Sequence, residues 1–304
     1  MRRSVYQARI EIPAALADAT DAALLGHGVG GWSLLEDAIA KRAWIIGIFP
    51  DPREGRAEWE TLKALLPVAP WVEPSWRRLS AARWRDSYKA HFKAWKSGRL
   101  HWVPIWERER FQRPKGHAVL WLDPGMAFGT GNHETTRLCC HRLIALAKKA
   151  AGREKTLRVI DAGCGSGILA LSAVRLGFKS VLGFDNDPAA VKVSRENAAL
   201  NGLGRAARFI TADLSAGLAK RKAEVILANI QADVLVRAAP ILLGAVAPGG
   251  SLVLSGILAV ELAQVRTAYA GLAPGWAIAS RTLREWSDLV LTRPRGSPAP
   301  ARSS

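Results

Sequence analysis

The chain has 304 residues, enough for one large domain or two modest ones, and its 49% hydrophobic content can fill a core. Three cysteines without a C-x-x-C pair exclude a disulfide framework, and no apolar run is long enough for a membrane span or a signal peptide, so a protein of the reducing cytoplasm is expected. A formal net charge of +17 favours polyanionic partners.

The first 75 residues read as a small α+β unit. Tyr6 to Ile12 alternates as a strand, and Pro13 suits the first turn of an Ala-rich helix that Gly26 and Gly28 stop. Strands are expected at Trp32–Leu35 and Ala43–Phe49. A second helix follows from Arg56 to Leu66, with Trp59, Leu62 and Leu66 on one face, and a short strand near Trp71-Val72. The order βαββαβ is the ferredoxin-like plan. Arg77 to Trp95 is expected as a helix, because Trp84, Tyr88, Phe92 and Trp95 share one face. Between Arg77 and Lys115, twelve Lys or Arg accompany three acids, so the 77–115 segment is the candidate for a weak RNA contact.

Beyond about Leu100 the pattern turns to β-α alternation. Strands are read at Leu157–Asp161, Ser180–Asp185, Ala207–Thr211, Val225–Asn229 and Ser251–Ser255, which argues for a doubly wound sheet. Trp286–Thr292 is a final antiparallel strand at or near the edge. Residues 294–304, rich in Pro, Ser and Arg, read as a disordered tail.

The chemistry concentrates in RVIDAGCGSGILAL, residues 158–171. A buried strand runs into Gly163, Gly165 and Gly167, and a helix follows; ligands of open α/β sheets bind at such strand ends. The spacing is G-x-G-x-G, with Ile168 where a dinucleotide fingerprint has its third glycine, and no G-K-[ST] follows, so the ligand need not carry phosphates. Asp185 ends the second strand, where a carboxylate can accept from both hydroxyls of a ribose. Asn229 ends the fourth strand beside the switch point. Together these residues describe a nucleoside held at the ribose by Asp185, with an amino-acid part over Gly163–Gly165, and S-adenosylmethionine fits. His133 has no second ligand nearby, so no metal is expected.

DPGMAFGTGNHETTRL (residues 123–138), IDAGCGSGILAL, LANI and LSGIL (residues 254–258) resemble the motifs of the ribosomal protein L11 methyltransferase family. That resemblance implies a seven-stranded, Rossmann-like methyltransferase domain over 99–293. It also implies a ferredoxin-like substrate-recognition domain over 1–75 and a helical linker over 76–98. It places Thr136, Gly163, Asp185 and Asn229 on the cofactor and makes residues 125–136 a lid. Asn132, Glu134 and Gln231 depart from the usual Thr, Pro and Leu.

The activity so implied is methyl transfer from S-adenosylmethionine to lysine or N-terminal amines of a large-subunit ribosomal protein. Asn229 would orient the amine rather than act as a strong base. Three alternatives stand beside it: methylation of another protein lysine, methylation of an RNA or DNA base, and a cofactor-binding module without activity. Asn229-Ile230-Gln231-Ala232 lacks the aromatic of a base-flipping [ND]-P-P-[YF] motif, which counts against the nucleic-acid reading.

Overall fold

Val5–Ile12 (β1) buries Ala8, Ile10 and Ile12 and exposes Arg9 and Glu11, the alternation of a strand with one face on a core. The computed structural model describes residues 5–16, 19–20, 23–24, 32–37, 42–49, 51–66, 73–79, 94–123, 133–150 and 152–296. They divide into two units, Met1–Tyr88 and Lys89–Ser304.

In the first unit, Trp32–Asp37 (β2), Arg42–Phe49 (β3) and Ser75–Leu79 (β4) join β1 in an antiparallel sheet of order β2-β3-β1-β4, the ferredoxin-like order. Pro52–Lys63 (α1) starts where Asp51 accepts the Arg53 N–H at 2.9 Å, with Pro52 in the first turn. Trp59 and Leu62 turn into the core beside Trp32 and Phe49. A Cβ at Gly55 would lie 2.4 Å from the Phe49 ring, so this helix packs only because that position lacks one. Trp44 is covered by the Arg9 and Arg42 guanidiniums at 4.3 and 5.0 Å, and Arg42 grips Glu11 through two bonds of 2.7 Å.

Several expectations for this region change. The helix after Pro13 begins as a 3-10 turn at Ala14–Leu16, and most of its remainder lies outside the described residues. Trp71 and Val72 also lie outside them, and the strand that completes the sheet is β4. The helix expected over Arg77–Trp95 is corrected at both ends. Arg77 and Arg78 pair with Gln7 and Tyr6 in the sheet, where β1 satisfies their backbone groups, and Trp95 lies in a strand of the second unit. Trp84, Tyr88 and Phe92 fall outside the described residues.

The second unit opens with Trp95–Ser97 (β5) and Leu100–Pro104 (β6), an antiparallel pair that Ala118–Leu122 (β7) joins in parallel. Trp95 stacks on Trp102 with ring centroids 3.9 Å apart and 9° between planes, and the Trp102 indole N–H donates to Ser172 Oγ at 2.8 Å.

The main sheet follows. Its elements in order are Glu134–Ala150 (α2), Arg158–Ala162 (β8), Ile168–Arg175 (α3), Ser180–Asp185 (β9), Pro188–Leu200 (α4), Ala207–Thr211 (β10) and Leu214–Leu218 (α5). Then come Ala223–Asn229 (β11), Ala232–Arg237 (α6), Ala239–Ala245 (α7), Val246–Leu258 (β12), Leu262–Leu272 (α8), Ala277–Leu283 (β13) and Trp286–Thr292 (β14). The order β10-β9-β8-β11-β12-β14-β13 makes seven strands, parallel up to β12, with β14 antiparallel to both its neighbours. The doubly wound, seven-stranded α/β fold expected from the sequence is therefore the one observed.

β13 is the edge beyond β14 and has no counterpart in the sequence reading. None of its residues is fully buried, so its alternation is weak. One core cluster draws on α2, α3, α4 and β5–β7, and a second on α6, α7 and α8, so both sheet faces are covered. Cys139, Cys140 and Cys164 are all free and buried, and burial raises each thiol pKa.

Candidate functional site

The carboxyl ends of β8, β9 and β11 converge at the switch point of strand order, between β8 and β11. At the end of β8 the chain turns through Gly163, Gly165 and Gly167, with φ values of 75°, 50° and 80°, a left-handed region where side chains are strained. The N–H groups of Gly163 and Cys164 both donate to Phe184 O at 2.9 Å, which anchors the turn to β9. A Cβ on Gly163 would lie 2.5 Å from Ile230 Cγ2, so the ends of β8 and β11 touch there.

Asp185 belongs to the same constellation. Its Oδ2 accepts the Gly165 N–H at 2.9 Å and its Oδ1 accepts the Asp187 N–H at 3.1 Å. These two bonds fix the carboxylate plane, and each oxygen keeps a further lone pair.

Asn229 and Thr136 also meet. The Asn229 amide Nδ2 donates to Thr136 Oγ1 at 3.4 Å, joining β11 to the first turn of α2. Asn229 Oδ1 is buried and has no hydrogen-bond partner among the described residues. Such an acceptor costs roughly 1–3 kcal/mol while it stays unpaired. It is therefore a strong candidate to receive a donor from a bound molecule. Thr136 itself is fully buried, and Ser255 in β12 holds the same turn by donating to Thr135 O at 3.2 Å.

All five sequence-predicted site residues thus lie at one edge of the sheet. Gly163 and Asn229 meet through Ile230, Asn229 and Thr136 through a hydrogen bond, and Gly165 and Asp185 through another. Of the expected lid, residues 125–132 lie outside the described residues, and His133 to Thr136 form its described end. His133 sits edge-on to Trp286 at 4.9 Å, its Nδ1 lies 2.9 Å from Thr135 Oγ1, and burial lowers its pKa. Among the described residues no group of three or more His, Cys, Asp or Glu is placed to hold a metal ion.

Four features escaped sequence reasoning. Asn197 in α4 donates to Ser166 O and accepts the Asp123 N–H, both at 2.9 Å, so one buried amide ties the glycine turn to the last residue before the 124–132 segment. Asn201, one turn later, exchanges bonds of 2.8 and 2.6 Å with the Trp121 backbone. Asparagine is disfavoured inside helices, so Asn197 in ENAALN was a usable signal; Asn201 caps the C-terminus of α4, where the residue type is ordinary. Ser194 supports the turn by donating to Gly165 O at 2.8 Å. The fourth is the Arg142–Asp288 pair, with two bonds of 2.7 Å that dock α2 on β14; Asp288 is fully buried.

Asp161, at the end of β8, is also fully buried. Its Oδ2 accepts the Ala170 N–H at 2.9 Å, its Oδ1 has no partner among the described residues, and burial raises its pKa to about 7.

Comparison with known proteins agrees with this geometry. Residues 14–294 match the family model described as Ribosomal protein L11 methyltransferase (PrmA). The chain is 45% identical over 210 residues to a ribosomal protein L11 methyltransferase of Trichlorobacter lovleyi, covering 68% of this chain and 66% of that protein. It is 47% identical over 188 residues to one of Pseudomonas aeruginosa, covering 61% of this chain and 60% of that protein. The alignments therefore span less than two thirds of these relatives' own length. A crystal structure of ribosomal protein L11 methylase from Lactobacillus delbrueckii subsp. bulgaricus superposes with a TM-score of 0.57 at 33% identity, over 67% of this chain and 100% of that one. The chain belongs to the ribosomal protein L11 methyltransferase family.

Proposed function

We propose that the protein transfers methyl groups from S-adenosylmethionine to amines of ribosomal protein L11, on lysine side chains, the N-terminus or both. Asn229 carries the proposal: a buried, unpartnered acceptor stands at the tip of β11 beside a glycine turn and a ribose-competent carboxylate. The relatives' names, which specify this substrate, support the same reading.

In this reading Asp185 receives the ribose hydroxyls on its remaining lone pairs. The Gly163–Gly165 turn receives the amino-acid part, and Thr136 closes the site from α2. When bound, S-adenosylmethionine supplies a methyl group activated by its positive sulfur. The residues then need to deliver an uncharged amine along the line of the bond that breaks. A lysine with an ordinary pKa near 10.4 must lose its proton first, a penalty of roughly 4–5 kcal/mol at pH 7. A dry site lowers that penalty by disfavouring the ammonium. Asn229 Oδ1 would accept an N–H of the neutral amine and point its lone pair, leaving the surplus proton to depart to water.

The N-terminal unit is assigned the recognition of the protein substrate, with the stretch between β4 and β5 as the link to the methyltransferase domain and 294–304 as a tail. The proposed location is the cytoplasm; among the described residues no helix is long and apolar enough to cross a membrane. A weak RNA contact through the 77–115 segment is a secondary reading, supported by the exposed Arg99, Arg108, Arg110, Arg113 and Lys115.

The test is incubation with isotopically labelled S-adenosylmethionine and unmethylated L11, followed by mass spectrometry. Methyl groups on L11 amines support the proposal. Label appearing on RNA or on other proteins but not on L11 would overturn the substrate.

A further inference from the structure

At the opposite edge of the sheet, the amino ends of β8, β9 and β10 and the turn before β11 surround a cleft of about 790 Å³. Eight Lys or Arg side chains line it and, among the described residues, no Asp or Glu does. Four of the eight are already engaged. Arg158 is paired with Glu224, Arg195 donates to Phe209 O, Arg221 donates to Ala216 O and Gly217 O, and Lys222 donates to Gly244 O. The other four, Lys179, Arg205, Arg208 and Lys220, are exposed and make no ion pair among the described residues.

Four unneutralised cations in one cleft repel one another, and an anion that bridges them relieves that repulsion. The cleft is far larger than a single phosphate. Its one aromatic, Phe209, is 5% exposed, so it offers no platform for a base to stack on. An array of exposed cations, with its aromatic buried and the neighbouring Glu224 already held by Arg158, suits a chain of phosphates and is blind to sequence.

We propose that this cleft binds the phosphate backbone of RNA, on the face of the methyltransferase domain opposite the Gly163–Asp185–Asn229 site. The inference does not depend on the proposed activity, because none of the four cations belongs to that site.

The test compares the wild type with two variants of equal net charge. One carries Lys179→Gln, Arg205→Gln, Arg208→Gln and Lys220→Gln. The control carries Lys148→Gln, Lys149→Gln, Arg266→Gln and Arg281→Gln, all exposed and outside the cleft. Fluorescence anisotropy with a short labelled single-stranded RNA of mixed sequence is read across a salt series. Each lost phosphate contact reduces the log–log salt slope by about 0.7, so the cleft variant should lose about 3 in slope. Its affinity at low salt should fall at least tenfold, and the control should stay within twofold of the wild type.

Equal losses in both variants would overturn the site in favour of diffuse charge. Unchanged binding by the cleft variant would overturn it outright. Competition arms separate the sources of negative charge. Displacement of RNA by inorganic tripolyphosphate at equal phosphate concentration would reassign the cleft to small polyphosphates. Displacement by polyglutamate at equal charge would reassign it to an acidic protein. Matching thermal unfolding of all three proteins confirms that the comparison is between folded chains.

Discussion

Gly165 gives its N–H to the Asp185 carboxylate at 2.9 Å, so the middle glycine of the turn and the acid at the tip of β9 form one unit. Asp185→Ala should therefore act twice, removing the ribose acceptor and releasing the turn. Cofactor affinity is expected to fall about tenfold to a few hundredfold, since hydrogen bonds to a charged group contribute roughly 1.5–3 kcal/mol each. Isothermal calorimetry reads this directly, and unchanged affinity would take Asp185 out of the site.

Asn229→Ala should separate binding from turnover. If Oδ1 holds the amine, kcat for L11 methylation falls by roughly two orders of magnitude, the typical cost of removing one orienting group from a reacting centre. Cofactor affinity should change less than it does in Asp185→Ala. A variant with normal kcat and a weakened cofactor would assign Asn229 to cofactor binding alone.

Removing one partner of the buried pair between α2 and β14 should be costly. Asp288→Ala leaves Arg142 and the Arg281 N–H without their acceptor, and breaking such pairs typically costs about 3–5 kcal/mol. Urea unfolding should show that loss, whereas the double change Arg142→Met with Asp288→Leu should recover much of it. A loss below about 1 kcal/mol in Asp288→Ala would mean water replaces the pair.

Asp161 predicts a pH dependence of defined sign. Burial raises its folded pKa to about 7, whereas an unfolded Asp titrates near 3.8. The folded protein therefore holds this proton more tightly. The resulting stability is complete below about pH 4 and is lost as pH rises to about 7, with a magnitude of up to about 4 kcal/mol. Asp161→Asn mimics the protonated acid and should be more stable than the wild type at about pH 8, and little different at about pH 4. Denaturant midpoints at the two pH values decide it, and a constant difference between the two proteins would contradict the assignment.

The unit boundary yields a truncation experiment. A chain beginning at Lys89 retains Trp95 and should fold, bind S-adenosylmethionine and fail to methylate L11 efficiently. A chain beginning at Arg99 loses the Trp95 ring stacked on Trp102 and should be less stable by about 3–5 kcal/mol, as for other buried aromatic deletions. Full-rate methylation of L11 by the Lys89 chain would show that the N-terminal unit does not read the substrate.

Most of the second unit was legible because its signals are local. β9, β10 and β14 have the bounds read from sequence, and Gly163, Asp185 and Asn229 sit at strand ends that hydrophobic runs make plain. The rest depended on partners distant in the chain. Arg142 and Asp288 are 146 residues apart, and neither position advertises the other. The Arg77–Trp95 stretch misled because four aromatics at helical spacing outweighed the register that binds Arg77 and Arg78 to β1. The basic cleft was invisible for a similar reason. Its eight cations come from five separate segments, and only the folded parallel sheet gathers them at one end.

The burial of all three cysteines has a practical consequence. Alkylating and disulfide-exchange reagents attack exposed thiolates, so the native chain should be silent toward them until it unfolds. A single Ala127→Cys change would then place one reactive handle in the 124–132 segment on an otherwise inert background. The rate of its labelling, followed with and without S-adenosylmethionine, would report on that segment and nothing else.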